Sequence, residues 1–438
     1  MKRPEKSPTA PKPRPRARPQ SAGPTLDAGA ARAKVSPARL AAFDILLLVA
    51  EGRGHSDELL HSQHTDALSE QDRNLATALV MGVLRWLIAL DAEIARHLSR
   101  PDQTLAEPVA MALRLGAFQL LHMDRIPAHA ALSESVELCR AAGQPFASGM
   151  TNAILRKIAS SPRPGKRVFE STAALAERLA HPQWLVDRWV TRYGRTAAQA
   201  ICEADQSEPA ASGLFPPDPT LPNIDDGSRL VAEIAAAALP DVGGRAAKVW
   251  DCCAAPGGKT LVLAHRLPQA SLLATDVSAR RLRQMESRMQ REGHVKNVRT
   301  LVSDASALPV DEGLFDLVLC DVPCSGTGTL ARNPEIRLRL LPEDLARQSA
   351  RQRELLHAGL NRVSDGGRLV YSTCSLEPEE NEAVVADALR DGAWKKVAPG
   401  VVPSLSVPLQ GMLDEGALRT IPGVHGCDGF YAVVLERT

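Results

Sequence analysis

Between residues 247 and 435 the sequence repeats one pattern. Short apolar runs cover 247–253, 272–277, 298–303, 315–322, 368–373 and 430–435. Most end in polar residues, with stretches of helical spacing between them. This alternation permits few folds: it is the βαβ rhythm of an open parallel sheet covered by helices. In such sheets ligands sit beyond the carboxyl ends of the strands. The polar residues at those ends are therefore where chemistry is to be sought.

The first half of the chain follows a different rule. From about 36 to 160 the apolar residues recur at helical spacing, as in Leu40, Phe43, Leu47 and Leu48, or Leu113, Ala117, Leu120 and Leu121. Ser69 followed by Asp72 suggests a capped helix start. The spacing predicts an all-helical domain of five to seven helices. Residues 161–166 punctuate its end, and two or three more helices run to about 204. Pro209, Pro216, Pro217, Pro219 and Pro222 then mark a linker. The expected division is a tail over 1–34, a helical domain over 35–165, a helical connector and Pro-rich linker over 166–224, and a Rossmann-like α/β domain over 225–438.

Charge sharpens this division. The formal net charge is +1, but residues 1–34 carry nine Lys/Arg against Glu5 and Asp27, a net of +7. The remaining 404 residues hold 43 basic and 49 acidic side chains, a net of −6. The tail is rich in Pro, Arg and Ala without apolar periodicity. It reads as a solubilising disordered segment or a nonspecific polyanion-binding arm. The longest apolar runs, such as 45–50, fall far short of the roughly 20 residues that span a bilayer. The N-terminus lacks the apolar stretch of a secretory signal. Eight cysteines, with neither a CxxC pair nor a His/Cys cluster, suit free thiols in a reducing cytoplasm and no metal site. A monomer is the default expectation.

The first strand runs into Asp251-Cys-Cys-Ala-Ala-Pro-Gly-Gly-Lys-Thr260. Small residues and two glycines let backbone approach a ligand, and a helix starting there offers free N–H groups. The loop is neither a Walker A motif nor GxGxxG, which disfavours a nucleoside triphosphate or a dinucleotide. Asp276 ends the second strand, where a carboxylate commonly accepts two ribose hydroxyls. Asp304 ends the third, suited to an adenine amino group. A Gly-rich turn with two strand-end acids suits adenosine without phosphate, hence S-adenosylmethionine. The plainer reading of either Asp is a helix N-cap.

The fourth strand ends in Asp321-Val-Pro-Cys324-Ser-Gly-Thr-Gly, and the fifth in Tyr371-Ser-Thr-Cys374-Ser-Leu-Glu-Pro-Glu-Glu-Asn381. Adjacent strands would bring these two thiols to one rim. Cys139, Cys202, Cys252, Cys320 and Cys427 read as core filler. Two thiols beside a cofactor loop suit methylation at C5 of a pyrimidine. That carbon is too weak a nucleophile unaided, but a thiolate adding at C6 makes the ring an enamine. A nearby acid must then neutralise N3.

DCCAAPGGKT, DVPCSGTGTLARNPEIR, YSTCSLEPEENE and the closing DGFYAVVLER resemble the RNA cytosine-C5 methyltransferases that carry two active-site cysteines. Residues 126–137 and 149–156 are similar to a NusB-type RNA-binding domain. Together they resemble the bacterial 16S ribosomal RNA cytosine-C5 methyltransferases of the RsmB/Fmu/Sun type, over about 36–160 and 225–438. The resemblance implies that Cys374 is the nucleophile and that Cys324 assists product release. It implies that Asp321 contacts N3 and the exocyclic amine and that Lys259 lies by the catalytic centre. S-adenosylmethionine would be held by Cys253, Ala254, Ala255, Pro256, Gly257, Gly258, Lys259, Asp276, Asp304 and Asp321. Three departures fall outside the catalytic residues: Pro209 to Asp226 replaces a segment with a Leu-Arg-x-Asn stretch, Ser303 precedes the third-strand acid, and Leu338 stands where Trp is common.

A base inside a duplex cannot present C6 to a thiolate, so the target must be single-stranded or flipped. Arg332, Arg337 and Arg339 follow the Pro-Cys motif and are expected to contact phosphate. The alternative is a solvated helix face paired with Glu335 and Glu343. The arginines at 280, 281, 283, 288 and 291 read as surface, and His129 as a satisfied structural histidine. Three other readings are transfer RNA as substrate, DNA cytosine methylation, and a non-catalytic RNA-binding protein. The Thr-Cys motif and the helical domain oppose the second. Intact Cys324, Cys374, Asp321 and Lys259 oppose the third.

Overall fold

The computed structural model describes residues 30–100, 103–161, 170–208, 213–291, 296–403 and 405–438. Residues 1–29 of the basic tail, the punctuation at 162–166 and Pro209 lie outside the described residues. Residues 30–34 depart from the expected tail: Ala31 is buried and Arg32 pairs with Asp44.

Among the described residues the first half is built from α1 Pro37–Ala50, α2 Ser56–Leu60, α3 Gln63–Asp66, α4 Glu70–His97, α5 Glu107–His122, α6 Ala128–Ala141 and α7 Ser148–Ser160. Ser69 caps α4 as expected, accepting from the Asp72 N–H at 3.1 Å. Phe43, Leu46, Leu79, Val83, Leu113 and Ala117 interlock in one core. By length and composition α4 could cross a membrane, although no continuous run in it is long enough. Its apolar residues are spread along 28 positions, and Leu79, Val80, Val83 and Leu90 are buried against the other helices. His129, expected as a satisfied structural histidine, is exposed at the start of α6.

The connector holds α8 Thr172–Arg178 and α9 Gln183–Asp205, the latter kinked at Gly194. Leu175, Leu185, Val186, Trp189 and Ile201 pack with Leu330 and Leu376, which belong to loops after the fourth and fifth strands. The Pro-rich stretch is not a loose tether either. Leu214 and Phe215 are buried in the core beside the sheet. Asp226 fixes them by accepting from the Gly213 and Leu214 N–H groups, each at 2.7 Å. Next comes α10, Asp226–Ala237, capped by Asp225.

The α/β half then runs β1 Lys248–Asp251, α11 Gly258–Arg266, β2 Ser271–Asp276, α12 Ala279–Arg291, β3 Val298–Val302, β4 Phe315–Asp321, α13 Ile336–Arg339, α14 Pro342–Leu360, β5 Val363–Thr373, α15 Glu382–Ala388, β6 Trp394–Val397, β7 Leu413–Asp414, β8 Ala417–Arg419 and β9 Tyr431–Arg437. The strand order is β3-β2-β1-β4-β5-β9-β8-β7, with β6 also on β9. Strands β1 to β5 are parallel, as expected. The sixth apolar run, now β9, enters antiparallel to β5. The added strands β7 and β8 have two and three residues, too few for periodicity to register. The parallel strands share one rim, where Asp251, Asp276 and Asp321 end their strands and Cys374 follows Thr373.

Candidate active site

Two loops meet on this rim. The Pro-Cys loop leaves β4 and the Thr-Cys loop leaves β5, and they are joined by backbone and by one buried acid. The Gly328 N–H donates to the Cys374 carbonyl at 2.9 Å, and the Gly429 N–H to the Gly328 carbonyl at 2.7 Å. A Cβ at Gly328 would fall 2.2 Å from the Gly429 oxygen, so only glycine allows this approach. Glu380, fully buried, accepts from the Ser325 N–H at 2.8 Å, Ser375 Oγ at 2.5 Å and Gln352 Nε2 at 2.9 Å, and also from Ser325 Oγ. Asn381 donates to the Ser375 carbonyl at 2.9 Å and accepts from Thr373 Oγ1. Both residues lie within the Thr-Cys motif, but sequence reasoning gave them no role. Nothing in the run Glu377-Pro-Glu-Glu380 distinguishes the buried acid from its neighbours.

These ties bring Cys324 Sγ to 3.3 Å from Cys374 Sγ. Cys374 beside it, together with burial, holds the Cys324 thiol well above its ordinary pKa. Either thiol can donate in this contact. Lys259 Nζ lies 2.8 Å from Asp321 Oδ2, and Asp321 Oδ1 accepts from Ser372 Oγ at 2.7 Å. Burial opposes the Lys259 ammonium, yet Asp321 outweighs it, with help from Asp225 and Cys374. Its pKa rises and it stays charged. All four expected catalytic residues thus gather at adjacent strand ends.

The loop after β1 turns at Gly257, whose φ of 96° favours glycine, and Ala255-Pro256 is a cis peptide. A cavity of about 230 Å³ is lined by Cys253, Ala254, Ala255, Pro256, Gly258, Lys259 and Asp321. It is also lined by Asn223, Ile224, Asp225, Ser228, Asp251, Arg288 and Arg332. Asn223 and Ile224 end the stretch read as linker, Asp225 and Ser228 open the part read as the α/β domain, and Arg288 comes from a helix read as surface. None carried a motif. Asp251 is buried, accepts from Thr260 Oγ1 at 2.6 Å, and leaves Oδ1 without a partner. Burial pushes its pKa up to about 7.

Asp276 and Asp304 do not line this cavity. Only Asp304 does what its plainer reading said, as the N-cap of the short 3-10 turn 305–307; at α12 the cap position is held by Ser278, whose Oγ accepts from the Arg281 N–H at 3.3 Å. Asp276 accepts from the Ser278 N–H at 2.8 Å ahead of α12, and Asp304 accepts from the Ser306 N–H at 2.9 Å. Arg351 also pairs with Asp304 at 2.5 Å.

The three arginines after the Pro-Cys motif divide. Arg332 is exposed, lines the cavity and is held by Asp428 at 2.7 Å. Arg337 is buried and donates to the carbonyls of Arg85, Ala180, Asp205 and Leu330, at 3.2–3.4 Å. The expectation of a phosphate contact therefore fails for Arg337. Burial lowers its pKa to about 10, and its two terminal nitrogens are spent on carbonyls inside the protein. Arg339 donates to the Val49 and Gly54 carbonyls at 3.0 and 2.9 Å, tying the α1–α2 turn to the catalytic half. Glu335 does not pair with these arginines: it accepts from the Ser56 N–H at 3.2 Å and Oγ at 2.9 Å. Leu338 packs against the helical core. Residues 335–339 are the seam between the two halves. Of the thiols read as core filler, Cys139, Cys202, Cys252 and Cys320 are buried, while Cys427 is half-buried.

A helical domain joined to a Rossmann-like sheet, with a Gly-rich turn and paired thiols on one rim, defines a protein of the methyltransferase class. The family described as 16S rRNA methyltransferase RsmB/F matches residues 244–436, and the NusB family matches 36–160. A ribosomal RNA small subunit methyltransferase B of Xanthomonas campestris is 32% identical, over 91% of this chain and 97% of its own. A probable ribosomal RNA small subunit methyltransferase B of Bacillus subtilis is 27% identical, over 92% and 99%. The crystal structure of PH0851 superimposes with a TM-score of 0.70 at 23% identity, covering 92% of this chain and 99% of that one, and so shares the fold. The chain belongs to the ribosomal RNA small subunit methyltransferase B family.

Proposed function

We propose that the protein methylates C5 of a cytosine in small-subunit (16S) ribosomal RNA, through a covalent bond between Cys374 and C6. The observation that carries this reading is the 3.3 Å approach of Cys324 and Cys374 beside the 2.8 Å Lys259–Asp321 pair. S-adenosylmethionine, when bound, supplies the electrophilic methyl group. Residues 253–259 with Asp276 and Asp304 would hold it, and Asp321 would lie against its methionine end. The small residues Ala254, Ala255 and Gly258 along the cavity wall suit that ligand. The Cys374 thiolate adds to C6, and Asp321 contacts N3 and the exocyclic amine as charge develops there. C5 thereby gains the electron pair that takes the methyl group. The C5 proton then leaves to a base, the C5–C6 double bond re-forms, and the Cys374 sulfur is expelled as Cys324 assists release. The helical module over 35–165 and Arg332 would serve RNA binding, and such a substrate implies work in the cytoplasm.

The test is adduct trapping. The protein and its Cys324→Ala and Cys374→Ala variants are incubated with S-adenosylmethionine and either 16S ribosomal RNA or transfer RNA. Cys324→Ala accumulates a covalent protein–RNA species on 16S ribosomal RNA, and Cys374→Ala forms none. The reverse pattern overturns the choice of nucleophile. An adduct on transfer RNA alone overturns the choice of substrate.

A further inference from the structure

A second cavity, of about 570 Å³, opens beside the catalytic pocket and shares Asn223, Ile224, Asp225 and Arg332 with it. Its other walls come from the end of α9 and from the loop at 422–428. None of these segments has a role in the methyl-transfer steps above. Its volume lies in the range of small-molecule sites and exceeds what one base needs. Its continuity with the pocket of Lys259 and Asp321 puts it where a neighbour of the target nucleotide would lie.

The charged groups of this cavity are of two kinds. Arg332 is held through Nε by Asp428, and among the described residues its terminal nitrogens make no hydrogen bond. Around it stand the carboxylates of Asp428, Asp225 and Glu208. Asp428 uses Oδ2 on Arg332, and Asp225 uses Oδ1 on the Ser228 N–H, so each keeps one oxygen for a ligand. Among the four bases only guanine combines two adjacent donors, N1–H and the 2-amino group, with two adjacent acceptors, O6 and N7. A guanidinium pairs with O6 and N7, and carboxylates accept from ring N–H and amino groups. Uracil offers one donor between two acceptors. Adenine and cytosine offer a single amino group beside an acceptor.

We infer that this cavity receives a guanine next to or near the target cytosine in the RNA, with Arg332 facing O6 and N7 and Asp428 and Asp225 facing N1 and the 2-amino group. This rests on the RNA methylation reading above and adds a sequence preference to it. Asp428 would thereby be a specificity-determining residue, outside the reacting set.

The experiment uses the full chain and a 16S RNA fragment containing the mapped methylated cytosine. Each guanine within three nucleotides of that cytosine is replaced singly by inosine, which lacks only the 2-amino group, or by 7-deazaguanine, which lacks N7. At one position inosine lowers kcat/KM about tenfold, the size of one hydrogen bond to a charged group. Asp428→Asn reduces that guanine-to-inosine ratio to below threefold, and Arg332→Gln does the same for the 7-deazaguanine ratio. A ratio of two substrates in one preparation does not depend on how much of a variant folds. If no flanking guanine matters, or if both ratios survive their variants, the inference is overturned while methylation stands. If the wild-type protein methylates no ribosomal RNA cytosine, the functional reading fails and this inference with it.

Discussion

Two buried charges organise two different regions. Glu380 sits under the thiol loops, and its carboxylate is met by a backbone N–H, two hydroxyls and an amide. Arg337 sits in the seam between the halves, and its guanidinium is met by four backbone carbonyls. Neither relies on a direct ion pair. Each is held by uncharged groups that would otherwise be buried without partners, which costs about 1–3 kcal/mol apiece. The difference lies in what they hold. Glu380 positions the loops that carry the two thiols, where, on the proposed mechanism, a shift of an ångström costs rate. Arg337 positions one domain on another, where the cost appears as stability.

That comparison can be broken experimentally. The largest effect is expected for Glu380→Gln, which replaces an acceptor of four bonds by a group that also donates. Turnover should fall by about two orders of magnitude, or about 2.7 kcal/mol in the barrier, with KM for RNA within threefold of wild type. Steady-state kinetics check it, and unchanged turnover would detach Glu380 from the chemistry. Arg337→Met should lower unfolding stability by about 2 kcal/mol in a urea titration while the rate per folded molecule stays within threefold. A rate loss as large as that of Glu380→Gln would erase the distinction.

The smallest effect concerns Asp251, a buried charge whose partners are incomplete. Its carboxyl titrates near 7 when folded, against an ordinary value of 3.8. The folded state therefore binds the proton more tightly than the unfolded state. Stability contributed by the protonated form declines as pH rises between those values and levels off above about 7. Asp251→Asn removes the titration. Its stability relative to wild type should rise from pH 5 to about pH 7 and then level off, as read by thermal unfolding. A difference independent of pH would mean that Asp251 is ionised throughout.

Much of the site was legible because its residues are adjacent in sequence. Strand-end motifs carry Asp321 with Cys324 and Thr373 with Cys374, and the sheet only has to set neighbouring strands side by side. The arginines show the opposite. Arg332, Arg337 and Arg339 lie within eight residues, yet one faces the cavity, one is buried and one binds the α1–α2 turn. Sequence spacing cannot sort them, because their partners Asp428, Arg85 and Val49 are far away along the chain. The Pro-rich stretch hid a similar fact, since prolines predict a turn but not that Leu214 and Phe215 will fill the sheet's core.

The sequence by itself determined the two folding regimes, helical spacing before 160 and strand–helix alternation after 247, together with the residue types at each strand end. Periodicity and short motifs are local, so they survive without coordinates. Only the tertiary structure decided the antiparallel entry of β9, the joining of the thiol loops by Glu380, the cavity built partly from the supposed linker, and the seam through Arg337. Each depends on residues distant in the chain, and a buried polar group's role is set by whichever partners packing brings to it.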